Sequence, residues 1–215
     1  MKRKKGRHAG TESRRRDIIH AALECFSTIG ITQTSMSDIR TRSLASTGSI
    51  YHHFKSKDML ASEVYLEGIR EYQAGILSSL EQEPGAREGI TAMISFHMKW
   101  VEENRVWSRY LFQYRHASFM AASEEHIERL NRDFVRRVSA WFDSHVLQGV
   151  FRVLPPDIYV SLILGPCMEY ARQYLSGQTL TGIDQAIAVI SDAIWRSLCK
   201  NSKPISENRA HSRGG

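Results

Sequence analysis

Three serines, Ser35, Ser46 and Ser56, each stand just ahead of a helical hydrophobic stripe. A serine hydroxyl at that position accepts from the unpaired N–H groups of a helix's first turn, so each marks a helix start. The spacing therefore divides residues 35–60 into a short helix, a turn, a second short helix and the beginning of a long one. Asp38 follows Ser35 by three residues, a variant of the capping box. Asp58 falls in the first turn after Ser56, where a negative charge meets the positive end of the helix dipole. No convincing apolar–polar alternation of the strand type occurs, and no internal repeat. These features predict an all-α fold.

Upstream, Ile18, Ile19, Ala22, Leu23 and Phe26 form one helical stripe over Arg14 to Thr28, which Gly30 ends. Met36 and Ile39 are the inward residues of the first short helix, and Ile50 and Phe54 those of the second. Beyond Leu60 the breaks at 83–85, 104–105, 121–123, 154–156 and 176–177 delimit about six helices, counting the one that starts at Lys57. Gly165-Pro166 should kink the penultimate one, because proline removes an N–H and clashes one turn back. The expected organisation is a disordered basic arm (1–12), a three-helix head (13–57), a larger helical domain (58–200) and a disordered tail (201–215).

Charge separates the two ends of the chain. Residues 1–57 hold 12 Lys and Arg against four acids, a net of +8, which leaves −2 for the remainder of a chain whose total is +6. A basic head on a slightly acidic body suits a polyanion that meets the head alone. Three cysteines, Cys25, Cys167 and Cys199, lie far apart and form no CxxC pair, which argues against a disulfide framework or a zinc site. No apolar segment follows the basic start, and the longest uncharged apolar run, Ile158 to Met168, is too short to cross a bilayer. A cytoplasmic protein without membrane contact is expected.

Short capped helix, turn and second short helix is the helix-turn-helix pattern, whose second helix enters the major groove by its N-terminal residues. Thr47, Gly48, Tyr51 and His52 share one slim polar face. Tyr51, Lys55 and Lys57 flank it within reach of phosphates. The pattern by itself also describes a purely structural helical corner. The segment "RRRDIIHAALECFSTIG", followed by "ITQTSMSDI" and "STGSIYHHFKSKDML", resembles the N-terminal DNA-binding domain of the TetR family of transcriptional regulators. That resemblance implies that Ser46, Thr47, Ser49, Tyr51 and His52 meet DNA. It further implies that Ser35 and Ser37 touch backbone or a base edge, and that Lys57 binds phosphate. Two positions depart from the family's habit: Arg40 replaces a small alanine, and Leu44 replaces a turn glycine, so the turn is expected to be strained or reshaped.

The resemblance also implies a ligand-responsive repressor acting as a homodimer on a palindromic double-stranded operator, with a ligand pocket in the body and a four-helix dimer seam. Aromatic density at helical spacing nominates His97, Trp100, Val101, Trp107, Tyr110, Leu111 and Tyr114 for the pocket, with Met168 and Tyr170 from the penultimate helix. Such a lining suits a flat or apolar small molecule. Leu162, Gly165, Glu169 and Arg172, with Ile187, Ile190, Ile194 and Leu198, are the expected dimer residues. No GxSxG elbow, phosphate-cradling glycine loop or metal-ligand spacing occurs, so neither catalysis, cofactor nor metal is expected. Two other readings stay open: a helical partner-binding or scaffold protein, and a redox-sensing regulator using Cys167 or Cys199.

Overall fold

A computed structural model describes residues 3–200. Nine α-helices follow one another among the described residues: α1 (Arg3–Ile29), α2 (Met36–Ser43), α3 (Thr47–His53), α4 (Lys57–Gln82), α5 (Ala86–Glu103), α6 (Arg105–Tyr114), α7 (Glu124–Leu147), α8 (Pro156–Leu175) and α9 (Ile183–Leu198). A 3-10 turn, Ser118–Ser123, precedes α7. The only extended pairing among these residues is a single antiparallel bridge between Phe151 and Cys199. The tail expected at 201–215 lies outside the described residues.

The caps act as the sequence predicts. Ser35 Oγ accepts from Asp38 N, and Asp38 Oδ2 accepts from Ser35 N in return, closing the capping box. Ser46 and Ser56 accept from the third residue of α3 and of α4. Gly30 ends α1 in the left-handed region, at φ +91°. One expectation needs correction: α1 begins at Arg3, so residues 3–12 extend a helix and form no disordered arm. That stretch contains no proline, and apart from Gly6 and Gly10 its residues tolerate helix, so nothing stops α1 before its packed portion.

Two apolar clusters hold the molecule together. The first joins Ile18, Ile19 and Phe26 of α1 to Ile39, Ile50, Phe54, Leu60 and Leu66, and continues to Trp107 and Tyr110 of α6. The second gathers Ile76 and Leu80 of α4, Ile90 and Ile94 of α5, Phe142, Phe151, Ile163 and the inner stripe of α9. Helix α4 belongs to both. Its first turns complete the head and its last turns help build the body, so the packing does not break at residues 57 and 58. Helix α8 runs unbroken through Pro166.

Candidate nucleic-acid interface and cavity

Ile50 and Phe54 are about 1% exposed and pin α3 into the head, which turns the opposite face outward. On that face Thr47, Gly48, Tyr51 and His52 are exposed. A Cβ added at Gly48 would meet nothing within 4 Å, so the helix backbone there is open to close approach. Arg40 and Ser37 of α2 share a shallow groove with Thr47 and Tyr51, which points Arg40 toward the same surface. The hydroxyls of Ser35 and Ser46 are engaged in caps and set the helix starts. Lys55 Nζ donates to the Tyr51 carbonyl at 3.1 Å. Lys57 Nζ donates to the carbonyls of Thr32 and Thr34, both at 2.9 Å, which leaves one of its three N–H groups for another acceptor. The lysine therefore fastens α4 to the turn between α1 and α2.

Behind the head lies a cavity of about 380 Å³ between α4, α5, α6, α7 and α8. Tyr65, Ile69, Tyr72 and Gln73 of α4 form one wall; His97, Trp100 and Val101 of α5 form the next. Ser108, Leu111, Phe112 and Arg115 belong to α6 or its end, Asn131, Phe134 and Val135 to α7, and Leu164 and Met168 to α8. A second lobe of about 160 Å³ shares Tyr72, Phe134, Val135 and Leu164 with it. Tyr72 OH lies 2.8 Å from His97 Nδ1, and its ring meets Trp100 edge-on at 5.3 Å. Burial holds the His97 imidazole down at about 4, against which the Cys167 carbonyl acts weakly, so the ring is neutral. Arg115 is bidentate to Glu124, at 3.1 and 2.9 Å.

Residues 18–64 match the family of bacterial regulatory proteins described as the tetR family. The head of the chain thus carries the tetR-family DNA-binding domain. The chain is a DNA-binding regulator. It is 26% identical over 163 residues to the HTH-type transcriptional repressor KstR2 of Mycolicibacterium smegmatis, covering 70% of this chain and 72% of that one. It is 25% identical over 185 residues to the HTH-type transcriptional regulator BetI of Agrobacterium fabrum, covering 83% and 85%. The fold superimposes on a TetR family transcription regulator from Marinobacter aquaeolei with a TM-score of 0.73 at 16% identity, over 89% of this chain and 98% of the other.

The sequence-predicted residues divide. His97, Trp100, Val101, Leu111 and Met168 line the cavity. Trp107 and Tyr110 do not: they donate to the carbonyls of Val64 at 3.1 Å and Ala61 at 2.9 Å, riveting α6 to α4. Tyr114 packs on Tyr110 and Phe119, and Tyr170 donates to the Thr181 carbonyl, so both serve packing. The α4 wall was missed, although Tyr65, Ile69 and Tyr72 recur at helical spacing. The dimer residues need a larger correction. Ile187, Ile194 and Leu198 are buried in this chain's own core, and Ile190 packs partly against it. Leu162 also leans on that core, whereas Gly165, Glu169 and Arg172 stay exposed. Cys167 is buried, which pushes its thiol up to about 12, and a protonated thiol is a poor redox sensor. Among the described residues no group of three His, Cys, Asp or Glu side chains could hold a metal, and no helix is long and apolar enough to cross a membrane.

Proposed function

We propose that this regulator is a repressor that binds a near-palindromic operator as a homodimer and is released by a small molecule. The observation that carries this reading is the path of α4. Its N-terminus is fixed beside the DNA-facing surface by Ser56 and Lys57, and fifteen residues on its Tyr72 stands between the two lobes of the cavity. An occupant pressing on Tyr65, Ile69 or Tyr72 pushes the same rigid rod that carries the head. A ligand that prefers one position of that rod shifts the DNA-competent population, and DNA must weaken ligand binding in return. One relative, KstR2 of Mycolicibacterium smegmatis, is a transcriptional repressor, which agrees with this direction of control.

In this reading Ser37, Thr47, Ser49, Tyr51 and His52 reach base edges or backbone, while Arg40, Lys55 and the remaining N–H of Lys57 meet phosphates. Selection from random duplex DNA should return one site, with affinity falling by about 10³ or more between 50 and 200 mM salt as counterions are released. Thr47→Ala should alter preference among variants of that site by about 1–3 kcal/mol per base lost. Lys57→Ala should weaken every duplex alike and lower the salt slope by about one. Absent or salt-insensitive duplex binding would favour the scaffold reading instead. A uniform loss in both variants would erase the division between reader and clamp.

A further inference from the structure

The cavity wall contains three polar atoms that the protein leaves without hydrogen-bond partners: Trp100 Nε1, Ser108 Oγ and His97 Nε2. Their residues are only 6%, 1% and 4% exposed. A buried polar group with no partner is costly, and such a group in the wall of a cavity gains most from a ligand atom that reaches it. Their chemistry defines that atom. An indole N–H can only donate. Ser108 can turn its hydroxyl proton inward. Tyr72 OH and His97 Nδ1 are hydrogen-bonded to each other at 2.8 Å, so the buried neutral imidazole is already engaged through one nitrogen. Trp100 and Ser108 therefore offer protons and need an acceptor.

The charge of the occupant follows from the rest of the wall. Its one cationic lining residue, Arg115, is neutralised by the bidentate Glu124. Gln73 and Asn131 bond to each other at 2.8 Å. A carboxylate entering this space would lose its hydration without gaining a free counter-charge, and beside Trp100 and Ser108 an ammonium group would meet donors. Building on the ligand-responsive reading above, we propose that the cavity takes an uncharged, mainly apolar molecule with a hydrogen-bond-accepting oxygen, such as a ketone or ester carbonyl, that accepts from Trp100 Nε1 and Ser108 Oγ.

Three probes of one shape test this: benzophenone, diphenylmethane, which replaces the carbonyl by CH₂, and 4-benzoylbenzoate, which adds an anion. Calorimetric titration of the full chain should show benzophenone binding about tenfold tighter than diphenylmethane, equivalent to about 1.4 kcal/mol. It should likewise bind more tightly than 4-benzoylbenzoate. Trp100→Phe and Ser108→Ala should each shrink the preference for benzophenone while leaving diphenylmethane affinity within about twofold. The second variant serves if the first melts early, since Ser108→Ala removes only one oxygen. Equal binding of benzophenone and diphenylmethane, a preference unchanged in the variant, or a preference for the anion would overturn the proposal and leave the ligand-responsive reading standing. Binding of none of the three would overturn both.

Discussion

Leu44 sits at φ 52° and ψ 25°, the one non-glycine residue with positive φ among the described residues, and it is 87% exposed. A branched side chain in the left-handed region costs about 1–2 kcal/mol, and this one recovers almost nothing by packing. Leu44→Gly should therefore stabilise the chain, less the extra freedom glycine regains when unfolded, for a net of about 0.5–1 kcal/mol. Urea titration of the two proteins checks this; a less stable variant would mean that the turn depends on the leucine. The strain was legible through the resemblance, because Leu44 stands where that family usually carries a turn glycine. The role of Lys57 was only half legible. Its place after α3 suits the phosphate contact proposed for it, but its two partners in the structure are the backbone carbonyls of Thr32 and Thr34, which have no sequence signature.

Helix boundaries were readable because caps and breaks are local, whereas the face a helix buries depends on its neighbours. Helix α9 shows the difference: its richest stripe, Ile187, Ile194 and Leu198, faces inward against α5, and the weaker stripe of Ala188, Val189 and Ala193 faces out. Periodicity finds the most apolar face without saying whether this chain or a second copy covers it. Helix α4 shows it again through Gly68. A Cβ there would lie 2.0 Å from Trp107 Nε1, so the glycine is the seat on which the indole rests while it donates to Val64. An alanine inside a helix is normally worth about 1 kcal/mol over glycine. Here Gly68→Ala should instead cost about 1–3 kcal/mol, because the overpacked indole must move and its hydrogen bond stretch. Gly165→Ala, with open space at its Cβ, provides the matched control and should not destabilise an isolated chain. Comparing their unfolding midpoints and slopes decides it; parallel gains in both variants would show that Trp107 yields freely.

At the scale of the whole molecule, the proposed operator mode requires two heads held about 34–36 Å apart, one helical turn of DNA, and hence a two-fold contact between chains. The burial pattern moves that contact away from Ile187, Ile194 and Leu198 to the outer faces of α8 and α9. There Gly165 on one helix and Val189 on the other are exposed, Val189 by 62%. Val189→Asp separates assembly from folding in a way that Ile194→Asp does not. Ile194 is 2% exposed, so a carboxylate there would sit unpaired in the chain's own core and unfold it. At position 189 the same charge is solvated in a single chain and desolvated only when a partner closes over it. The Val189→Asp protein should therefore keep its helical content, scatter light as a 24.6 kDa particle, and lose about 10²-fold or more in operator affinity, because each half-site must then be bound alone. Benzophenone binding in the cavity should be unchanged, since Val189 lies outside its walls. A variant that remains dimeric would place the seam elsewhere on the surface, and a monomer that holds the operator at full strength would remove the dimer from the mechanism.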